Sequence, residues 1–410
     1  MKEKTFSRQD LLKNIPAEAQ KIFEVFLRDK KLGGDEIRLV GGCVRDMISG
    51  LAVMDFDFAT KFPPQQAMEI LAQNNIHAVP TGIKFGTITA VINKKHFEIT
   101  TLRKDKESDG RHCEPEFIDD YFFDAARRDF TINALYLDNK GVVHDYFNGI
   151  VDLQENKVKF IGDAKQRIEE DFLRILRFFR FSCRYASELD SAALLACIDY
   201  KSNIKSLSED RVRNEIFKII AVAKSKKLIW IFEELENCGI REEIFSAKLQ
   251  IANLQNLLEL EEALQIKLSE RIKFAALSFG RDIDLQEILL RLNFSNQEKK
   301  YFQFLFDKIY NSSGLDYKDL RELLVFQEKD FVRDFYLLNL TQTSLDIFEA
   351  KRLLKFINDF SLPNFPINGN DLMAMGVSGK ELGKKLLKAK KLWIESDFKM
   401  QKDELLKNQS

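Results

Sequence analysis

Arg38-Leu-Val-Gly-Gly-Cys-Val-Arg-Asp46, followed by Met54-Asp-Phe-Asp-Phe58, holds the two short stretches on which the fold of this chain turns. The first runs from an apolar, β-rich segment through paired glycines into a helix start. Gly41 and Gly42 let backbone N–H groups approach a phosphate with no Cβ in the way, and a helix N-terminus adds positive potential there. Arg45 is then placed to hold the same phosphates by charge-assisted hydrogen bonds. A strand–Gly-Gly–helix turn is also common where nothing binds, so this stretch decides little alone. In the second, alternation puts Asp55 and Asp57 on one strand face and both phenylalanines on the other. Two carboxylates that close repel each other unless a cation occupies the site, and hard oxygen ligands suit Mg²⁺. Glu98, in the strand-like His96-Phe-Glu-Ile-Thr-Thr-Leu-Arg103, can complete the cluster from a neighbouring strand. Three carboxylates can hold two Mg²⁺ ions, one beside a nucleophile and one beside a leaving group. A plain surface acid is the alternative for Glu98.

Working outward, the region from about Ile37 to Asp145 alternates short β-rich runs (Ile37 to Val40, Thr87 to Ile92, Phe97 to Leu102, Ile132 to Leu137) with turns rich in Gly, Pro and Asn. This predicts an α+β head. From Asp163 onward the apolar residues fall at helical spacing, as in Phe172 to Tyr185, Arg211 to Val222 and Leu320 to Leu338. Only seven prolines occur, and none lies between Pro115 and Pro363, as expected of a helical array with few breakers. Pro363 and Pro366 are read as marking a boundary.

A chain of 410 residues is too long for one core of ordinary size. With 45% hydrophobic and 31% charged residues it belongs among globular proteins rather than disordered or fibrous ones. No segment approaches the roughly 20 apolar residues that span a bilayer, and Met1 to Asp10 has no apolar run, so a cytoplasmic protein without membrane contact is expected. The five cysteines are scattered and form no CxxC pair, which predicts reduced, buried thiols. Lys+Arg 63 against Asp+Glu 64 gives no global signal for nucleic acid. A local one is offered by Lys380 to Lys407, with nine lysines and five acids, although a solvated amphipathic helix accounts for it equally.

Gly41 to Asp46, Asp55 to Asp57, Phe97 to Arg103 and Arg127-Arg-Asp-Phe-Thr-Ile-Asn-Ala134 together resemble, in order, the motifs of the bacterial and eukaryotic-type tRNA nucleotidyltransferase and poly(A) polymerase family. The likeness continues through Asp152-Leu153, Ile161-Gly162 and Glu170-Asp-Phe-Leu-Arg174. It covers about Arg38 to Glu215 and returns more weakly at Gly369 to Gly383. It implies a polymerase-β-like nucleotidyltransferase head followed by an all-helical neck, body and tail. The expected divisions are a head over 1–150, a neck over 151–225, a body over 226–345 and a tail over 346–410, the last two gripping RNA. Catalysis would fall to Asp55, Asp57 and Glu98, with metal on Asp55 and Asp57. Gly42, Arg45 and Arg128 would bind the incoming nucleotide. Arg127 shares that role or takes it, while Asp129 and Asn133 support the site.

In Glu170-Asp-Phe-Leu-Arg-Ile-Leu-Arg-Phe-Phe-Arg180, Asp171, Arg174, Arg177 and Arg180 recur every third residue on a predicted helix and form a slanting polar stripe. Cytosine and adenine each present an amino donor beside a ring-nitrogen acceptor, whereas uracil and guanine present a carbonyl beside an N–H. An ionised Asp only accepts and an Arg only donates, so Asp171 with Arg174 complements C and A and leaves unpaired groups against U or G. The family resemblance implies the same roles, with Arg177 and Arg180 also binding the nucleotide. Arg211, Arg213 and Glu215 are expected to position this helix.

Lys104-Asp-Lys-Glu-Ser-Asp-Gly-Arg111 resembles the flexible loop that enzymes completing the whole CCA require. The resemblance therefore implies addition of C, C and A to the 3′ end of tRNA from CTP and ATP, with Mg²⁺ as cofactor and no DNA partner. A poly(A) polymerase or a CC-adding enzyme of the same family is the nearer alternative, and a catalytically silent tRNA-binding protein is the alternative from another class.

Overall fold

Ile37-Arg-Leu-Val40 is buried at all four positions, including its arginine. Arg38 can sit there because Asp35 receives its guanidinium through two hydrogen bonds of 2.7 and 2.8 Å and the Tyr146 hydroxyl accepts a third at 2.9 Å. A buried cation with its donors satisfied in this way escapes the penalty of an unpaired one. The computed structural model describes residues 7–27, 35–105, 115–222, 225–245, 248–280, 284–309, 315–342 and 346–409. Lys106 to Arg111, most of the loop likened above to that of CCA-completing enzymes, lies outside them.

In chain order the head comprises α1 (Arg8–Lys13), α2 (Ala17–Phe26), β1 (Ile37–Val40), α3 (Gly42–Ser49), β2 (Phe58–Thr60), α4 (Pro64–Gln73), β3 (His77–Gly82), β4 (Thr87–Ile92), β5 (Lys95–Thr101), β6 (Arg103–Asp105), β7 (Pro115–Phe117), α5 (Tyr121–Ala126), β8 (Leu135–Leu137), β9 (Val143–Asp145) and α6 (Gly149–Gln154). Among the described residues, seven strands form one sheet in the order β3-β4-β5-β2-β1-β8-β9, and β6 pairs with β7 apart from it. β2 runs parallel to β5, with Phe58 opposite Ile99, and antiparallel to β1, with Leu39 opposite Phe58. One apolar cluster joins α2, α3 and α4 to the sheet around Phe23, Val44, Phe58, Leu71 and Ile99. A second gathers Val40, Ala59, Leu102, Tyr121, Tyr136 and Ile161.

Helices then take over: α7 (Ala164–Glu170), α8 (Leu173–Tyr185), α9 (Ser191–Tyr200) and α10 (Glu209–Val222), with α8 packed on α10. The chain divides into two compact units, Met1–Ser246 and Ala247–Ser410. In the second unit, Phe274, Phe294 and Phe302 form an aromatic core with ring centroids 5.0–5.5 Å apart. A separate cluster there joins Ile367, Ala389, Trp393 and Leu405. Among the described residues no helix is long and apolar enough to cross a membrane.

Four details differ from the sequence reading. Ile132 to Leu137 is a single 3₁₀ turn at Thr131–Asn133 and then the short strand β8, because Asn133 and Ala134 close backbone bonds onto Phe130 and Thr131. The expected strand over Phe97 to Leu102 begins earlier, at Lys95. Leu320 to Leu338 is two helices, Tyr317–Phe326 and Lys329–Leu340. Leu324 and Val325 stand seven residues before Phe331 and Val332, so the apolar register continues across a break made by extended backbone at Gln327 and Glu328. Lastly, Asp55 and Asp57 precede β2 instead of lying within a strand.

Candidate active site

The backbone at Asp57 is fixed from β1: the Val40 N–H donates to the Asp57 carbonyl at 2.9 Å. Phe56 packs on the apolar cluster and Phe58 is fully buried in it, so the alternate carboxylates face away from the core. One step before the Phe58–Ile99 pair, the parallel register brings Asp57 beside Glu98. Burial, then Glu98, then Asp55 push the Asp57 carboxyl up to about 6, against the pull of Arg128. A carboxyl raised by two neighbouring acids is one that a cation beside it would return to its ionised form.

Among the described residues no group of three or more His, Cys, Asp or Glu side chains surrounds a ready-made metal position. An ion held by these carboxylates therefore completes its shell from water and phosphate oxygens, which is the ordinary mode of Mg²⁺ beside a nucleotide. The donor set fits a hard divalent cation.

Asp57 and Glu98 open onto a cavity of about 430 Å³ lined also by Gly41, Gly42, Thr87, Asp129, Asn133 and seven arginines, Arg45, Arg103, Arg127, Arg128, Arg177, Arg180 and Arg184. Gly41 starts α3 at φ +74°, and a Cβ there would meet the Arg128 guanidinium at 3.3 Å. Glycine is required at this point on both counts.

So many cations gather because nearly every one has an acid behind it. Arg127 and Arg128 lie on Asp124 at 2.7 and 3.2 Å, and the Tyr136 hydroxyl donates to the same carboxylate at 2.7 Å. Although burial opposes ionisation, these partners hold the Asp124 carboxyl at about 2. Arg177 donates to Asp129 at 2.7 Å, and Asp129 accepts from Asn133 at 3.0 Å. Arg180 pairs with buried Glu215 at 2.8 Å. Asp46 takes Arg45 at 2.9 Å, Arg184 at 3.2 Å and the hydroxyl of Tyr185, which ties α3 to α8. Pairing lowers the mutual repulsion of the guanidiniums and fixes their orientation toward a polyanion.

Asp124→Asn is accordingly expected to destabilise the fold by about 2 kcal/mol in urea unfolding, because two cations lose their buried carboxylate. The acid limb has a defined sign. With a folded value of about 2 and an unfolded one of about 4, the Asp124 contribution is complete above pH 4 and lost as pH falls toward 2. The wild type should lose this extra stability over that window and the variant should not.

The structure brings Gly42, Arg45, Asp57, Glu98, Arg128, Arg177 and Arg180 together at the cavity wall. Asp55, Asp171 and Arg174 are not in that wall. Asp171 was expected on a helix; instead its extended backbone separates α7 from α8, and its carboxylate caps α8 by accepting the Leu173 N–H at 3.1 Å. Short polar side chains prefer such caps to helix interiors. The other Asp171 oxygen is held by Arg211 at 2.8 Å. Arg174 is engaged by Glu170 and by the carbonyls of Arg167 and Arg127, at 2.7 and 3.2 Å for the carbonyls. Arg213 pairs with Asp210. Sequence reasoning missed Arg103, Arg184 and Tyr185. Continuing the α8 stripe by four residues from Arg180 would have found Arg184; Arg103 closes the Phe97 to Arg103 motif but carries no role of its own in the sequence reading.

Residues 37–159 match the Poly A polymerase head domain family. The chain is 35% identical over 379 residues to the CCA tRNA nucleotidyltransferase 1, mitochondrial, of Mus musculus, covering 90% of this chain and 86% of that protein. Its fold is similar to that of the Bacillus stearothermophilus CCA-adding enzyme solved with CTP, at a TM-score of 0.74, 21% identity and 93% coverage of both chains. It is also similar to the Thermotoga maritima CCA-adding enzyme complexed with tRNA, at a TM-score of 0.65, 18% identity and 97% coverage of both. Identity at this level along nearly the whole length, with the motifs meeting around one cavity, means that the chain belongs to the CCA tRNA nucleotidyltransferase family.

Proposed function

We propose that this protein adds C, C and A in turn to the 3′ end of tRNA, taking CTP and ATP and releasing pyrophosphate without a template. The observation that carries the reading is the cavity itself, where Asp57 and Glu98 face the Gly41–Gly42 turn and the arginines of α8. The chain's similarity to CCA-adding relatives, one solved with CTP and one with tRNA, supports it.

The family's chemistry uses a divalent metal ion, and we assign Mg²⁺ to Asp55 and Asp57. Bound there, it would supply the positive charge that favours ionisation of the RNA 3′-hydroxyl and neutralises the departing pyrophosphate. Everything else falls to the protein. Gly41 and Gly42 leave the α3 N-terminus open to phosphate, and Arg45 and Arg128 bind the triphosphate beside it. Glu98 orients the approach of the hydroxyl from its neighbouring strand. Asp171 and Arg174 read the base once they exchange their present partners for it, with Arg177 and Arg180 holding the nucleotide at the cavity wall. Positioning and charge stabilisation account for a reaction of this kind. We assign the nucleotide-selecting helix to a neck over 151–225 and the grip on tRNA to a body over 226–345 and a tail over 346–410. We place the activity in the cytoplasm, where free thiols such as Cys43, Cys183, Cys197 and Cys238 stay reduced.

Incubating the protein with Mg²⁺, labelled CTP, ATP or both, and a tRNA lacking its CCA tests the reading at single-nucleotide resolution. Two additions from CTP alone and one further addition when ATP is present are expected. A long adenylate tail would make it a poly(A) polymerase, arrest after two C a CC-adding enzyme, and no extension a silent binder.

A further inference from the structure

The strand order fixes which side of the carboxylates each substrate must occupy. Asp57 precedes β2; on one side of it lie β1 and β8 with the Gly41–Gly42 turn and Arg128, and on the other lie β5 and β4 with Glu98, Thr100 and Thr87. The nucleotide-binding arginines and glycines belong to the first side. An attacking hydroxyl must approach the α-phosphate opposite the leaving pyrophosphate, so the RNA end comes in over β4 and β5.

At the β4 rim stands Phe85, 61% exposed. It sits in the single 3₁₀ turn Ile83–Phe85, closed by Gly86 at φ +81°, immediately before the cavity-lining Thr87. Beside it, Arg103 reaches the cavity and donates to the Phe85 carbonyl, and Lys84 is exposed. Phe117, 39% exposed, is paired with Arg103 across β6 and β7 and packs at Gly86, where an added Cβ would lie 2.7 Å from its ring. A single exposed phenylalanine is ordinary. Two exposed rings flanked by cations, at the mouth of a catalytic cavity and on the nucleophile's side, have the composition of a single-strand nucleic-acid site.

We propose that the Phe85 ring is the stacking platform for the 3′-terminal base of the acceptor RNA, with Arg103 and Lys84 attracting the adjoining phosphates. This rests on the tRNA-extending activity proposed above. Stacking accepts any base because every base has a π-face. That indifference suits this enzyme, whose acceptor ends first in a base of the tRNA body and then in C and again in C, while selection acts on the incoming nucleotide on the far side of the carboxylates.

Phe85→Ala should raise KM for tRNA roughly tenfold, leave KM for CTP and the melting temperature unchanged, and be rescued by Phe85→Tyr. In Phe85→Trp, the emission remaining after subtraction of the two native tryptophans should be quenched on titration with a short RNA ending in CC, in the absence of nucleotides. An unchanged KM for tRNA in Phe85→Ala, or emission at position 85 indifferent to the RNA, would overturn the platform. Should the wild type extend no RNA at all, the proposed activity falls, and the quenching measurement judges the platform independently.

Discussion

Asp57→Ala is expected to lower kcat about a thousandfold with CTP and with ATP alike, and to do so without weakening the fold. The loss corresponds to the several kcal/mol of charge stabilisation that a metal-centred nucleotidyl transfer draws from its ion. The fold should survive because burial, Glu98 and Asp55 all disfavour the ionised form of this carboxylate. Removing it relieves a repulsion, so the melting temperature should hold or rise. Millimolar Mg²⁺ should raise the melting temperature of the wild type and leave that of the variant unmoved. A variant that retains a tenth or more of the wild-type rate would sink the assignment of Asp57.

The second large effect is on selection. Asp171→Asn should reduce the preference for CTP and ATP over UTP and GTP by about a hundredfold, since a carboxamide can donate as well as accept and no longer rejects a carbonyl at the base edge. Asparagine keeps an oxygen for the Leu173 N–H, so the cap on α8 persists and stability should change by less than about 1 kcal/mol. Competition between labelled nucleotides on one tRNA reads the ratio directly. A ratio equal to the wild type would remove Asp171 from base selection.

Much of this was legible because chemistry and local pattern coincide. Gly41, Asp55, Asp57 and the run from Arg127 to Ala134 carry their constraints within a few residues. Period-two burial around Phe56 and Phe58, and helical spacing from Phe172 to Tyr185, follow from local geometry alone. The counter-charges did not show in this way. Asp124 meets Tyr136 from β8, and Asp46 reaches Tyr185 across 139 positions of sequence; Glu215 is expected to position the α8 helix, but nothing in the sequence names Arg180 as its partner. Such pairs are decided by packing, which sequence spacing does not report. The extended Asp171 was hidden for a different reason. Three-residue spacing is the same whether the first residue lies inside the helix or caps it.

The Asp171–Arg211 pair has a consequence for equilibrium. In our reading, Arg211 competes with the base for the Asp171 carboxylate, so a nucleotide read by Asp171 must displace an internal partner. The pair is partly exposed, with its two side chains 33% and 48% accessible, and such pairs are worth about 1 kcal/mol or less. Cytosine or adenine, supplying an amino donor to Asp171, replaces what Arg211 gave up and loses at most about fivefold in apparent affinity. Uracil and guanine present a carbonyl where cytosine and adenine present the amino group, so at that position they return nothing for what Arg211 gave up and leave Asp171 facing an oxygen. The cost of breaking this pair is the same for every base, so the ratio between bases rests on what each gives Asp171 in return, and a weak surface ion pair lowers affinity for all of them without itself setting selection.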